Sequence, residues 1–181
     1  MVACVIALLL GVAVGRLTAP SADAGAAQDV DTAVLPLVLD ADGIWNSASG
    51  DREPVAEALV ALRRDGDPTP VQNWGEAWLT SYDGVLLQLA GLDMPATARP
   101  VQRQFITAVT LSRDAVEVLS HAAELDDPDA RRDLLTEVGR LRQRSEQLTA
   151  SARASVLDLD GQRADVSPLP GLTSFLEGRR G

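Results

Sequence analysis

Two long apolar stripes, separated by one acidic turn, restrict what this chain can fold into. Val101, Phe105, Ala108, Ser112, Ala115, Leu119 and Ala122 recur at alternating spacings of four and three. After "ELDDPD", Leu134, Val138, Leu141, Ser145, Leu148, Ala152 and Ser155 or Val156 do the same. That spacing places side chains along one side of an α-helix. Two such helices joined by a short turn bury their stripes by folding back on each other. The spacing predicts an antiparallel hairpin of about 35–40 Å at helical rise. Asp127 before Pro128 reads as an N-cap and a first-turn proline, and Asp129 and Asp133 suit the positive end of the second helix.

Three shorter helices are expected ahead of the hairpin. Val34, Val38, Ala41 and Trp45 share a face of the first, which begins near Asp31 or Leu35 because Pro36 is tolerated only in a first turn. "EPVAEALVALRRDG" reads as the second, with Pro54 at its start and Gly66 past its end. The third runs from about Val71 to Ala90, with Val71, Trp74, Trp78, Tyr82, Val85 and Leu89 in one stripe. The expected fold is all-α: an antiparallel bundle of four to five helices over residues 31–157. Residues 18–30 read as a flexible linker and residues 158–181 as a disordered tail.

The first 17 residues differ from the rest. Val2 to Val14 is an unbroken apolar run without a polar face, unlike the later helices. With its neighbours it makes about 22 Å of helix, short against a bilayer core of about 30 Å. Three readings are weighed: a retained signal anchor, a signal peptide cleaved near Ala24 at Ala22-Asp23-Ala24, and a buried helix of a soluble domain, which the missing polar face places last. The expected location is the cell membrane, single-pass with the domain outside, or secretion after cleavage. The opener ending in "GRLTAP", followed by a helical domain, resembles the layout of many actinobacterial membrane-anchored or exported proteins. All 16 basic residues are Arg, which fits GC-rich coding sequence.

Charge and motif content narrow the function. A net charge of -10 disfavours nucleic acid as a partner. The lone Cys4 forms no internal disulfide. His121 is the only histidine, and its neighbour Ser120 faces another direction on a helix, so no hydrolytic triad is expected. Asp114, Glu117, His121 and Glu124 share a face opposite the apolar stripe, which reads as a solvated surface rather than a metal site. "DDPD" lacks the spacing of a calcium loop, and no phosphate-binding glycine loop is present.

No catalytic, cofactor-binding or metal-ligating residue is therefore expected, and the chain is not read as an enzyme. The leading expectation is a non-catalytic interaction or scaffold module of the bacterial envelope, held at the membrane by its N-terminal segment and engaging a protein partner. The alternative is a small-ligand-binding or sensory bundle, with Ser112 and Ser145 lining its pocket. Interaction candidates are Trp74, Trp78 and Tyr82, whose stripe, in phase with Val71, Val85 and Leu89, reads first as bundle core, and the basic Arg140 and Arg144. Arg142 and Glu146 read as an ordinary surface pair.

Overall fold

The computed structural model describes residues 22–161. The segment expected as anchor or signal over 1–17 lies outside the described residues, as does the chain beyond residue 161. Among the described residues the fold is all-helical, with one isolated bridge between Ser49 and Arg52. No helix among them is long and apolar enough to cross a membrane.

The chain enters as α1 (Ala22–Asp29), passes through a π turn (Val30–Val34) and continues as α2 (Leu35–Asn46). Pro36 explains the wide turn. It has no N–H, and its ring displaces the carbonyl one α-turn earlier. At this point the Leu35 N–H donates to Val30 O, five residues back. The buried stripe Ala26, Val30, Val34, Val38 therefore steps by four three times and stays on one side.

This corrects the linker expected over 18–30 from residue 22 onward; residues 18–21 lie outside the described residues. The helix starts at Ala22, and Ala26, Ala27 and Val30 are buried. Alanine is the best helix former, but its small apolar surface gives a stretch like "ADAGAAQD" no visible hydrophobic periodicity. Packing of α1 against α6 organises it.

α3 (Val55–Asp65) follows Pro54 in extended conformation and ends at Gly66, whose φ of +70° favours glycine. α4 (Thr69–Gly91) starts where Asp67 accepts the Thr69 N–H at 2.9 Å. α5 (Arg99–Glu124) and α6 (Pro128–Gly161) form the expected hairpin, the most extensive packing between elements. Asp127 accepts the Asp129 N–H at 2.9 Å, capping α6 as its sequence suggests. α6 runs past the expected end of the bundle, so residues 158–161 are helix rather than tail; half-buried Leu159 packs its last turn onto the core.

Helix ends are closed by side chains. Gln102 donates to Leu89 O at 2.8 Å and Leu92 O at 3.1 Å, satisfying orphan carbonyls at the end of α4. Arg131 donates to Leu125 O at the end of α5. Where α4 crosses α5, Gly75 faces Ser120 so closely that a Cβ would lie 2.8 Å from the Ser120 hydroxyl.

Trp78, Tyr82 and Phe105 are the largest fully buried side chains. The Trp78 indole N–H donates to Glu53 O at 3.0 Å, tying the α2–α3 connection to α4. The aromatic stripe of α4 is thus core. Trp78→Ala should lower stability by about 3–5 kcal/mol through lost burial and a cavity. Urea unfolding followed by circular dichroism measures this, and a change below about 1 kcal/mol would remove Trp78 from the core.

Candidate functional site

The α5–α6 seam changes character halfway along. On α5 the expected column is buried, from Val101 to Ala122. On α6 the buried residues are Leu135, Val138, Ser145, Ala152 and Val156, with Leu141, Arg142, Leu148 and Thr149 half-buried between them. The middle of the seam is polar. Ser112 and Ser145, both buried, meet with hydroxyls 2.8 Å apart. Ser145 lies 2.7 Å from Ala108 O and Arg142 Nη1 lies 3.3 Å from Ser112 Oγ.

Chemistry fixes the direction of this chain. A carbonyl only accepts and a guanidinium only donates. Ser145 therefore gives its proton to Ala108 O, Ser112 gives its own to Ser145, and Arg142 donates to Ser112.

Arg142 also spans the gap to α2. Its side chain is 13% exposed. Nη2 lies 2.7 Å from Asp42 Oδ1, one hundred residues away, and the guanidinium stacks 4.9 Å from the Trp45 ring centre. Nε lies 2.9 Å from Glu146 Oε1, but its N–H is not aimed at that oxygen and has no hydrogen-bond partner.

Around this strut opens a groove of about 640 Å³ between α2, α5 and α6. Val38, Ala41, Val109 and Leu157 contribute apolar wall, and Asp42, Ser112, Arg142, Ser145, Glu146 and Arg153 contribute polar groups. The two serines expected to line a pocket are brought together here. Arg142 was missed as a site residue because the i,i+4 relation to Glu146 has the form of a surface pair. The available signal was its place in a column of alternating threes and fours, where an apolar residue belongs.

Tyr82 lies under the site. Its hydroxyl is buried without a hydrogen-bond partner of good geometry. Burial pushes its pKa well up; Arg142 opposes that rise, Asp42 adds to it and nearby Ser112 opposes it.

Of the interaction candidates, Trp78 and Tyr82 are fully buried and offer no surface to a partner, and Trp74 is half-buried. That part of the expectation is corrected: the rings fill the core beside short α3. Arg140 and Arg144 are exposed; Arg140 pairs with Glu137 at 3.3 Å, and Arg144 has no ion-pair partner among the described residues. The Asp114–Glu124 stripe is split between tasks. Glu117 pairs with Arg113 at 2.7 Å, and His121, 69% exposed, lies 3.5 Å from Glu124. Among the described residues no three His, Cys, Asp or Glu side chains converge as metal ligands.

Comparison with protein families, curated proteins and solved structures finds no match.

Two measurements test the site. Arg142→Met should cost about 1–3 kcal/mol, the range for leaving a buried polar group unsatisfied, chiefly by taking the donor from buried Ser112, since half-exposed Asp42 can turn to water; unfolding indistinguishable from wild type would reduce the strut to a surface pair. Tyr82 is the only tyrosine, so phenolate absorbance near 295 nm reports it alone. In the native protein it should not rise through the ordinary range near pH 10. The unfolded chain loses that proton first, so stability should fall as pH climbs from about 10 towards the raised native pKa. A native transition near pH 10 would show an accessible hydroxyl.

Proposed function

We propose that this chain is a non-catalytic binding bundle of the cell envelope, and that the groove around Arg142 is its ligand site. The observation that carries this reading is a polar interruption in an otherwise apolar helix seam, opening into a groove of about 640 Å³. Ligand pockets combine mostly apolar walls with a few placed polar groups, and this groove has that make-up. A small amphipathic molecule fits it, with its apolar part along Val38, Val109 and Leu157 and its polar part near Asp42, Glu146 and Arg153. The rigid strut beneath keeps α2 and α6 apart, so the site is formed before a ligand arrives.

A protein-interaction or scaffold role is the second reading. Exposed Arg140 and Arg144, one turn apart on the outer side of α6, favour it. Either role places the chain at the membrane through residues 1–17, with the bundle outside. The apolar run from Val2 to Val14 supports this location. No nucleic-acid partner is proposed for a chain with a net charge of -10.

Thermal shift against pools of small amphipathic metabolites tests the groove. A stabilising ligand should be found, and Ala150→Trp, which fills the groove from an exposed helix position, should abolish its effect without lowering the melting temperature of the free protein. A ligand that stabilises both proteins equally would place binding elsewhere. For location, the chain should resist carbonate extraction from the membrane fraction. Mature protein in the culture medium beginning near Gly25 would instead establish cleavage.

A further inference from the structure

A second groove, of about 690 Å³, lies between α3 and the first turns of α6. Arg63, Arg131 and Arg132 all line it, with Leu62, Pro128 and Leu135 as apolar wall, and no carboxylate lines it among the described residues. Such a convergence of guanidinium groups stands out in a chain with a net charge of -10.

Two of the three keep their charge uncompensated. Arg63 donates from Nη2 to Leu135 O at 3.3 Å, and Arg131 donates from Nε and Nη2 to Leu125 O. Both partners are neutral carbonyls, and neither arginine has an ion-pair partner among the described residues. Arg132 pairs with Asp129 at 2.7 Å through Nη1. Nearby carboxylates have other work. Asp65 holds Arg64, Asp67 caps α4 and Asp127 caps α6. Exposed Asp126 and Asp133 do not line the groove.

Arg132 is the one groove arginine paired with a carboxylate, while Asp67 and Asp127 keep their charge beside the groove as they cap helices. Arg63 retains Nε and Nη1, Arg131 retains Nη1, and Arg132 retains Nε and Nη2. These planar forks suit an anion with several oxygens spread over more than one face.

We propose that this groove binds the phosphoryl group of a soluble organic phosphate. A phosphate monoester carries nearly two negative charges at pH 7 and three acceptor oxygens, which suit the free guanidinium donors. The groove is far larger than a phosphate group alone, and Leu62, Pro128 and Leu135 offer apolar surface to the organic part. A lipid headgroup has the same chemistry. The choice of a soluble ligand rests on the proposed membrane anchor. Asp42 of α2 meets Arg142 and Val38, one turn earlier, lines the first groove with Leu157, so the chain enters over the C-terminal half of α6, on which α1 also packs. Arg132 is 25 residues from Leu157, about 38 Å at helical rise, and so lies at the opposite end of α6 from this entry.

Isothermal titration of the full chain in mild detergent tests the proposal, with phenyl phosphate, inorganic phosphate and benzoate as probes. Phenyl phosphate should bind saturably, more tightly than inorganic phosphate and at least about tenfold more tightly than benzoate. Arg63→Gln with Arg132→Gln should weaken it by about tenfold or more while the thermal melt is kept, and Arg140→Gln should leave it unchanged. Arg131 is left intact because it closes the end of α5. Equal binding of benzoate, or full binding by the double variant, would overturn the site. Retention on phosphatidic acid vesicles above that on phosphatidylcholine vesicles, lost in the double variant and without binding of phenyl phosphate, would overturn the soluble ligand in favour of a lipid surface. Failure of Ala150→Trp to affect ligands of the first groove has no bearing on these outcomes.

Discussion

The seam between α5 and α6 is the contact on which the rest of the molecule depends. Larger residues, Phe105 and Leu119 on one side and Val138 and Val156 on the other, flank small ones between them, Ala108, Ser112 and Ala115 against Ser145 and Ala152. Small side chains let two long helices approach closely along their length, so many weak dispersion contacts add up. The Ser112–Ser145 hydrogen bond adds what apolar packing lacks. A shift of either helix by one residue would separate the hydroxyls and leave buried polar atoms unsatisfied, a larger loss than the net gain of forming the bond. Register is thereby set in the middle of the hairpin, and α4, with Trp78 and Tyr82, packs against a fixed surface.

From that seam outward, polar groups are placed in order of what they can accept. The carbonyl of Ala108 takes from Ser145, Ser145 from Ser112 and Ser112 from Arg142. Only the last member carries charge, and it lies where the bundle opens towards α2. There it finds a carboxylate and an aromatic face. A buried cation of this kind costs solvation, which Asp42 and Trp45 offset. Tyr82 is left as the unbonded group beneath, held neutral by its surroundings.

How far the sequence could be read follows from how strongly each segment contrasts apolar with polar residues. α5 alternates cleanly, and its column was legible residue by residue. On α6 the expected column passed through Leu134, Leu141 and Leu148, which are half-buried, while Leu135 beside the first is buried and Arg142 and Thr149 beside the others share their half-burial. Hydrophobicity was the guide, so the polar neighbours that line the groove went unread. The same guide gave no signal over Ala22–Asp29, a helix held by alanines and by its neighbour. The pairing of Asp42 with Arg142 spans one hundred residues, and neither position taken alone suggests it. Ser112 and Ser145 were legible because each is a hydroxyl at a place where the pattern demands a hydrocarbon.

The π turn at Val30–Val34 can be regarded as an insertion of one residue into an otherwise continuous helix. Successive residues of an α-helix are about 100° apart around the axis. A π turn closes on the fifth residue back where an α turn closes on the fourth, so it absorbs the extra residue with little change of phase. Winding the same residues as plain α-helix would instead rotate everything beyond them by about 100° relative to α1. Asp42 would turn away from Arg142, and Trp45 would leave the guanidinium it stacks on. The wide turn at Pro36's threshold thus keeps the part of the chain nearest its N-terminus in phase with the wall of the groove.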